Sequence, residues 1–240
     1  MRTRTFRKLL ALPAAAVAAL LHHPHGADAA KIASAGGVEP RHDGFWVARI
    51  RPGRAARLWA RLGGRTIGSA AATTQFGSPG TLSVVERRRG WLRVVATGLP
   101  NGRRAWVRLT SALRLERTRV WLKADLSRRR LWLMSGRRVV KSMPVAVGRH
   151  GSPTPVGRFA ITDKLDGRRI NPVYGRFILA LSGTQPRTPT GWTGGNRLAI
   201  HGAIARLATA ATAGCLEAGD RALGVLARRV PLGAPIFIRR

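Results

Sequence analysis

The residues with the clearest chemical potential are a cysteine and a histidine within the segment RLAIHGAIARLATAATAGCLEAGD, residues 197–220. Cys215 is the only cysteine of the chain, and His201 lies fourteen positions before it. A free thiol has a pKa of about 8.5, so only a small fraction is thiolate at neutral pH. An imidazole within hydrogen-bond reach can take the thiol proton and activate the sulfur. The pair therefore suggests nucleophilic acyl transfer.

The same segment contains backbone groups that acyl transfer requires. The strand-like run RLAIHG ends at Gly202, where glycine permits a sharp turn, and TAGC brings the chain back. The N–H groups of Ala213, Gly214 and Cys215 are candidate donors to a tetrahedral oxyanion. No Asp or Asn lies between His201 and Cys215. A backbone carbonyl, such as that of Gly202, is therefore the candidate for orienting the imidazole.

One cysteine and one histidine leave two interpretations open. In the first, Cys215 is a nucleophile and His201 is its base. In the second, Cys215 is a small buried residue, a common environment for a free cysteine, and His201 is unrelated to it. The surrounding elements have to distinguish the two.

The N-terminus has the three-part pattern of a secretory signal. Residues 1–29 begin with basic residues, continue with the apolar run 9–21 and end in Ala-Asp-Ala at 27–29. The apolar run is shorter than the roughly 20 residues that a membrane-spanning helix needs. We expect a cleaved signal and export to the wall, periplasm or medium, with an uncleaved anchor or an amphipathic arm as the alternative. A single cysteine in an exported protein indicates a reactive thiol or an intermolecular partner.

The charge balance is extreme, with 43 Lys and Arg against 10 Asp and Glu and a net charge of +33. Such a balance suits polyanionic surroundings. Because an exported protein does not meet chromosomal DNA, we expect the anionic cell envelope as partner and no nucleic acid. An arginine-biased composition without a ligand is the alternative.

Potential metal ligands are scarce. Acidic residues are few, and the histidines of HHPH, 22–25, lie in or near the signal. We therefore expect no metal and no cofactor.

Alternation of apolar and polar residues predicts a mainly β protein. Residues 30–44 are small and polar and are predicted to be a linker. Within 45–115, the runs FWVARIRP, ARLWARLG, TLSVVERRRGWLRVVATG and RAWVRLTS are typical of half-buried strands. Asn101-Gly102 predicts a tight turn. Five or so short strands suggest a small barrel, and GWLRV with LPNG and AWV resembles a bacterial SH3-like module.

The second part, 116–240, is also predicted to be mainly β. Three strands are expected, joined by turns at Asp125–Arg129 and Ser135-Gly136, and four more in VGRFAIT, RFILALS, RLAIHG and APIFIRR. One or two short helices complete this part. The first runs from Ile204 to about Ala211, and the second begins at Asp220 as its N-cap.

The order of these features resembles the L,D-transpeptidase catalytic domain, the YkuD-type fold, over about residues 117–240. TP-x-G-x-F at 154–159, LAIHG at 198–202, TAGC at 212–215 and VPLGAPIFI at 230–238 carry the resemblance. It implies a β-sandwich or barrel catalytic domain after the SH3-like module. His201 and Cys215 would carry its chemistry.

The resemblance implies an exported enzyme that acts on peptidoglycan stem peptides. Cys215 would attack a tetrapeptide donor at its third residue, His201 would move the protons, and an amine of a second stem would accept the acyl group. The product would be a 3-3 cross-link, and carbapenem inhibitors would acylate Cys215. An L,D-carboxypeptidase, with water as acceptor, and a catalytically degenerate wall-binding protein are the alternatives.

Two aromatic residues are further candidates for substrate binding. Trp192 lies in the glycine-rich stretch TPTGWTGGNR, where it would form part of a lid or pack on the barrel. Tyr174 lies in NPVYGRF at a turn-to-strand junction, where core packing is favoured over a substrate contact.

The sequence departs from the family pattern at two positions near the cysteine. Ala213 stands where the family often has His, and Glu217 stands where it usually has Arg or Asn. A carboxylate so close to the thiol raises the pKa of the thiol. Three arginines are the candidates for neutralising it: Arg197, Arg206 and Arg221.

Overall fold

Two large sheets, each with its own hydrophobic core, dominate the part of the chain that the structure describes, residues 44–240 of a computed structural model. The predicted signal peptide, 1–29, lies outside these residues. So does all but the last residue of the predicted linker, 30–44. Among the described residues, no helix has the length and apolar character needed to span a bilayer.

The first sheet has seven antiparallel strands in the order β3-β2-β6-β5-β4-β1-β7. The strands are β1 (Phe45–Ile50), β2 (Ala55–Trp59), β3 (Thr66–Ala71), β4 (Thr81–Arg88), β5 (Trp91–Val95), β6 (Ala105–Arg108) and β7 (Leu113–Thr118). Alternate residues point inward, as at Ala56 and Leu58 of β2. The SH3-like identity of this sheet stays a prediction.

The second sheet has eight strands in the order β10-β9-β8-β17-β12-β13-β14-β16. The strands are β8 (Val120–Asp125), β9 (Arg130–Ser135), β10 (Arg138–Pro144), β12 (Gly157–Asp166), β13 (Phe177–Thr184), β14 (Arg197–Gly202), β16 (Leu216–Ala218) and β17 (Pro235–Arg239). A small parallel pair, β11 (Val147–Gly148) and β15 (Ala210–Thr212), lies outside it. Within the eight-stranded sheet, two pairings are parallel, β8 with β17 and β14 with β16.

Three short helices accompany the second sheet: α1 (Gly167–Ile170), a 3-10 turn (Pro172–Tyr174) and α2 (Asp220–Arg229). Leu223 and Leu226 of α2 are fully buried in the core of this sheet. The predicted strands of this part and its final helix are confirmed, and the chain is mainly β as expected.

Two details of the helix prediction are wrong. Residues 203–209 form turns and β15 follows, so no helix runs from Ile204 to Ala211. Ala208 has a φ of +61°, which interrupts any helix there. The N-cap of α2 is Gly219, not Asp220. Asp220 instead accepts a hydrogen bond from the N–H of Arg176, at 3.5 Å.

Arg158 of β12 joins the two sheets. Its guanidinium lies 5.5 Å from the ring centre of Phe45 and 5.4 Å from that of Phe237. It also donates to the carbonyl O of Val84 at 2.8 Å. Burial, and then the charge of Arg104, lowers the pKa of Arg158 to about 10. The guanidinium nevertheless stays charged at neutral pH and keeps its contacts on both sheets.

Replacing this cation tests its contribution to stability. Arg158→Leu keeps apolar bulk but removes the charged hydrogen bond and both ring contacts, so we expect unfolding to become easier by about 1–3 kcal/mol. Urea unfolding followed by tryptophan fluorescence measures the change. Arg108→Leu, at an exposed position of β6, is the matched control and should stay within about 0.5 kcal/mol of the parent. Equal effects of the two variants would contradict this role.

Candidate active site

His201 lies on β14, and Cys215 lies next to it at the start of the neighbouring parallel strand. In the pairing of β14 with β16, His201 lies opposite Glu217. Cys215 directly precedes β16, and the same register puts it beside Ala199. The sulfur accepts a hydrogen bond from the N–H of Ala199, in agreement with this register. Because side chains two residues apart share a face, the sheet brings the thiol, the carboxylate and the imidazole to one side.

The imidazole of His201 is buried and held by its own strand. Its Nδ1 lies 2.9 Å from the carbonyl O of Gly202, which assigns the proton to Nδ1 and leaves Nε2 as the acceptor. The ring of Tyr174 packs edge-on against it, with 5.0 Å between ring centres. Burial lowers the pKa of His201. The hydrogen bond to the Gly202 carbonyl and the charge of Glu217 raise it, but their effects are smaller. His201 is therefore a neutral base at pH 7.

The thiol of Cys215 is held in its protonated form. Desolvation raises its pKa to about 11; the N–H of Ala199 opposes this shift, and the charge of Glu217 adds to it. The sulfur lies 3.9 Å from the carbonyl O of Arg197, which accepts a weak hydrogen bond from it. The resting site therefore pairs a neutral thiol with a neutral imidazole. For this sulfur to act as a nucleophile, its proton would have to move as it attacks.

The turn before the nucleophile is closed by a threonine. The hydroxyl of Thr212 accepts from the N–H of Gly214 at 3.1 Å and donates to the carbonyl O of Cys215 at 2.7 Å. Gly214 has a φ of +119°, a conformation that favours glycine. In this conformation the N–H of Gly214, one of the three predicted oxyanion donors, is donated to Thr212. The amides of Ala213 and Cys215 are the two predicted donors that this contact leaves.

Sequence analysis missed Gln185, which holds this turn from the other side. Gln185 is 5% exposed, and its Nε2 donates to the carbonyl O atoms of Ala213 at 3.2 Å, Pro153 at 3.1 Å and Ser152 at 3.3 Å. A Cβ added to Gly214 would lie 1.8 Å from that nitrogen, so glycine is needed there for space as well. A single glutamine after a strand has no pattern that could have identified it.

Glu217 is buried, and backbone groups stabilise its carboxylate. Its Oε2 accepts from the N–H of Ile204 at 3.0 Å and of Ala205 at 2.8 Å. The carboxylate thus fixes the loop that follows the histidine strand while facing the thiol and the imidazole.

The predicted neutralisation of this carboxylate by Arg197 is wrong. The guanidinium of Arg197 donates to the carbonyl O of Leu181 and to the hydroxyl of Thr162, and it feels the charge of Asp163. Within residues 44–240, no ion pair joins Glu217 to the other two candidates, Arg206 and Arg221.

The two predicted substrate-binding aromatics have different positions. Tyr174 is half-buried against the imidazole and not in the core. Trp192 is 44% exposed, and its indole N–H donates to the carbonyl O of Gly195 in its own loop, at 3.2 Å. No contact of the described residues joins Trp192 to the thiol or the imidazole. In the same part of the chain, no cluster of three or more His, Cys, Asp or Glu is arranged to bind a metal.

The sequence profile of the YkuD family, the L,D-transpeptidase catalytic domain, matches residues 119–238, half of the chain. The chain belongs to this family. The YkuD match covers the second sheet, α2 and both candidate catalytic residues. A sequence search among curated proteins found no match.

Solved structures similar to this YkuD protein include Bd1075 of Bdellovibrio bacteriovorus, with 20% identity and a TM-score of 0.42, over 51% of this chain and 48% of that one. L,D-transpeptidase 3 from Mycobacterium tuberculosis has 16% identity and a TM-score of 0.40, over 57% of this chain and 74% of that one. That protein has also been solved with a faropenem-derived adduct. The chain therefore spans about half the length of the Bdellovibrio protein.

Because the thiol is protonated at neutral pH, the rate of its alkylation should depend steeply on pH. Only the thiolate reacts with iodoacetamide, and the thiol has a pKa of about 11. We therefore expect the rate of Cys215 alkylation to rise about tenfold per pH unit from pH 7 to pH 10. Intact-mass kinetics measure it. A plateau below pH 9 would contradict the protonated state of this thiol.

Removal of the Glu217 charge should make the thiol more reactive. Glu217→Gln keeps an acceptor for the amides of Ile204 and Ala205 but removes the charge that raises the pKa of Cys215. We expect alkylation at pH 8 to become roughly two- to tenfold faster. Glu86→Gln, at an exposed position of the first sheet, is the control and should leave the rate unchanged. An unchanged or slower rate in the Glu217 variant would contradict the effect.

Proposed function

We propose that this protein is an exported peptidoglycan L,D-transpeptidase that uses Cys215 as nucleophile and His201 as base. The observation that carries the proposal is the shared face of β14 and β16, which holds a thiol and an imidazole with a free Nε2 inside a YkuD domain. The substrate class, stem peptides of peptidoglycan, is taken from the family. The three-part N-terminus and the net charge of +33 support export to an anionic envelope.

The first half-reaction forms a thioester. Nε2 of His201 takes the thiol proton as the sulfur of Cys215 attacks the carbonyl carbon of the donor's third residue, and the carbonyl electrons move to oxygen. The amides of Cys215 and Ala213 are the candidate donors to that oxyanion. The intermediate collapses as the C–N bond breaks, and the imidazolium returns its proton to the departing D-alanine amine.

The second half-reaction transfers the acyl group. An amine of a neighbouring stem attacks the thioester, and His201 accepts a proton from that amine. The C–S bond then breaks, and the sulfur recovers its proton from the imidazolium. The product is an amide between two third-position residues, a 3-3 cross-link. If water attacks instead, the same steps release a tripeptide, and the protein is an L,D-carboxypeptidase.

Glu217 affects whether the protein is an active transpeptidase or a catalytically degenerate wall-binding protein. Its charge opposes formation of a thiolate but favours an imidazolium, so the two effects on proton transfer from sulfur to nitrogen oppose each other. The high pKa of the thiol is the observation that favours the second candidate, a wall-binding protein with an inactive site. In that case, Cys215 would remain unmodified by acylating inhibitors.

Acylation by a carbapenem distinguishes these candidates. We expect incubation of the purified chain with meropenem to add one inhibitor mass to Cys215, and incubation with a tetrapeptide stem to release D-alanine. His201→Gln should slow acylation by about 10²–10⁴-fold because the base is lost. Cys215→Ser is the control for the site of the adduct. Mass spectrometry of the intact chain and of its peptides gives both results.

The products separate the remaining outcomes. D-Alanine release with a cross-linked dimer supports the transpeptidase, and release with tripeptide alone supports the carboxypeptidase. No adduct and no release, under conditions where another L,D-transpeptidase reacts, would overturn the proposal in favour of the wall-binding protein.

A further inference from the structure

A turn of the first sheet is hydrogen-bonded to the end of β13 in the second sheet. Asn101, between β5 and β6, donates from Nδ2 to the carbonyl O of Thr184 at 2.6 Å. Its Oδ1 accepts from the N–H of the same Thr184 at 3.0 Å. One side-chain amide therefore satisfies both backbone groups of the last residue of β13. This two-point contact fixes position and orientation together, which a single bond does not.

The residue after Thr184 is Gln185, whose side chain spans three segments. Its Nε2 reaches the carbonyl O atoms of residues 152, 153 and 213. Its Oε1 accepts from the N–H of Arg187 at 3.0 Å, and its own N–H donates to the carbonyl O of Asn196 at 2.7 Å. Because its polar groups are paired and it is buried, Gln185 has one well-defined position.

The contact of Gln185 with the nucleophile turn is close. It binds the carbonyl O of Ala213 and lies against Gly214, where no side chain would fit. These two residues precede Cys215 directly. A shift of Gln185 would therefore move the sulfur and the candidate oxyanion amides together. Displacement of reacting groups by about 1 Å can cost about a hundredfold in rate.

We propose that Asn101 is a positioning residue of the acyl-transfer site, acting through Thr184 and Gln185 on the turn that carries Cys215. The first sheet is thereby part of the active-site support as well as a neighbour of the catalytic domain. The inference rests on the proposed function where it is tested by acylation of Cys215.

The two sheets have other polar contacts that do not lead to this turn. A guanidinium nitrogen of Arg158 lies 3.3 Å from the hydroxyl of Ser83, which accepts from it. The hydroxyl of Thr74 donates to Asp163 of β12. Ser83→Ala therefore removes a contact between the sheets without touching the route from Asn101 to Gln185, and it is the matched control.

Two variants interrupt the route at different points. Asn101→Asp keeps the size and the acceptor but places a carboxylate oxygen against the carbonyl O of Thr184. Gln185→Met keeps the length of the side chain but removes the donor to three carbonyl groups. Melting temperatures of the full chain identify any general loss of stability.

The first measurement is the rate of Cys215 acylation at saturating meropenem. We expect Gln185→Met to slow it about ten- to hundredfold and Asn101→Asp about three- to tenfold, because the nucleophile and oxyanion donors are less well placed. The apparent Kd for meropenem should change less than about twofold, and Ser83→Ala should stay within about twofold in both quantities. Equal acylation rates for Asn101→Asp and Ser83→Ala would overturn the proposal. So would a control variant that has the same melting temperature as Asn101→Asp and loses as much of its acylation rate.

The second measurement is alkylation of Cys215 by iodoacetamide at pH 8, which does not depend on the proposed enzyme activity. A looser turn admits water to the thiol, and burial is the largest cause of the raised pKa of that thiol. We therefore expect both route variants to be alkylated faster, by about threefold or more, and Ser83→Ala to match the parent. If the parent chain is not acylated by meropenem, the proposed function fails and this measurement alone decides. Parental alkylation rates in both route variants would then overturn the inference.

Discussion

Removal of the thiol and the imidazole from water is the constraint on which the site depends. Burial raises the pKa of Cys215 and lowers that of His201, so both groups are uncharged at neutral pH. In the proposed reaction, charge would develop only as the sulfur attacks, and groups already in place would have to stabilise it. The Glu217 carboxylate lies opposite His201 in the strand pairing, and the backbone amides of the nucleophile turn are the candidate donors to the oxyanion.

Backbone groups hold the site residues in place more than pairs of side chains do. The parallel register of β14 and β16 sets the offset between base and nucleophile, and the carbonyl of Gly202 selects the tautomer of His201. Thr212 closes the turn from within, and Gln185 supports it from outside. The geometry of a few loops around one sheet edge thus defines the site; among residues 44–240, no carboxylate is hydrogen-bonded to the histidine.

Sequence reasoning succeeded where a pattern repeats. Strands such as RLAIHG and FILALS alternate or run apolar over enough residues to be recognised, and the order of motifs identified the family. It failed where one contact outweighs local preference. The alanine-rich stretch 203–211 has helical propensity, but Ile204 and Ala205 donate their N–H groups to Glu217, and Ala208 takes a positive φ. Gln185 could not be found because its three partners come from segments that only the fold brings together.

The protonated thiol also has a consequence for oxidation of the protein. Peroxides attack the thiolate, and the first product is a sulfenic acid. Cys215 is half-buried and has a pKa of about 11, so almost none of it is in the susceptible form at neutral pH. The desolvation that keeps Cys215 protonated therefore protects the chain's single sulfhydryl group from oxidative damage.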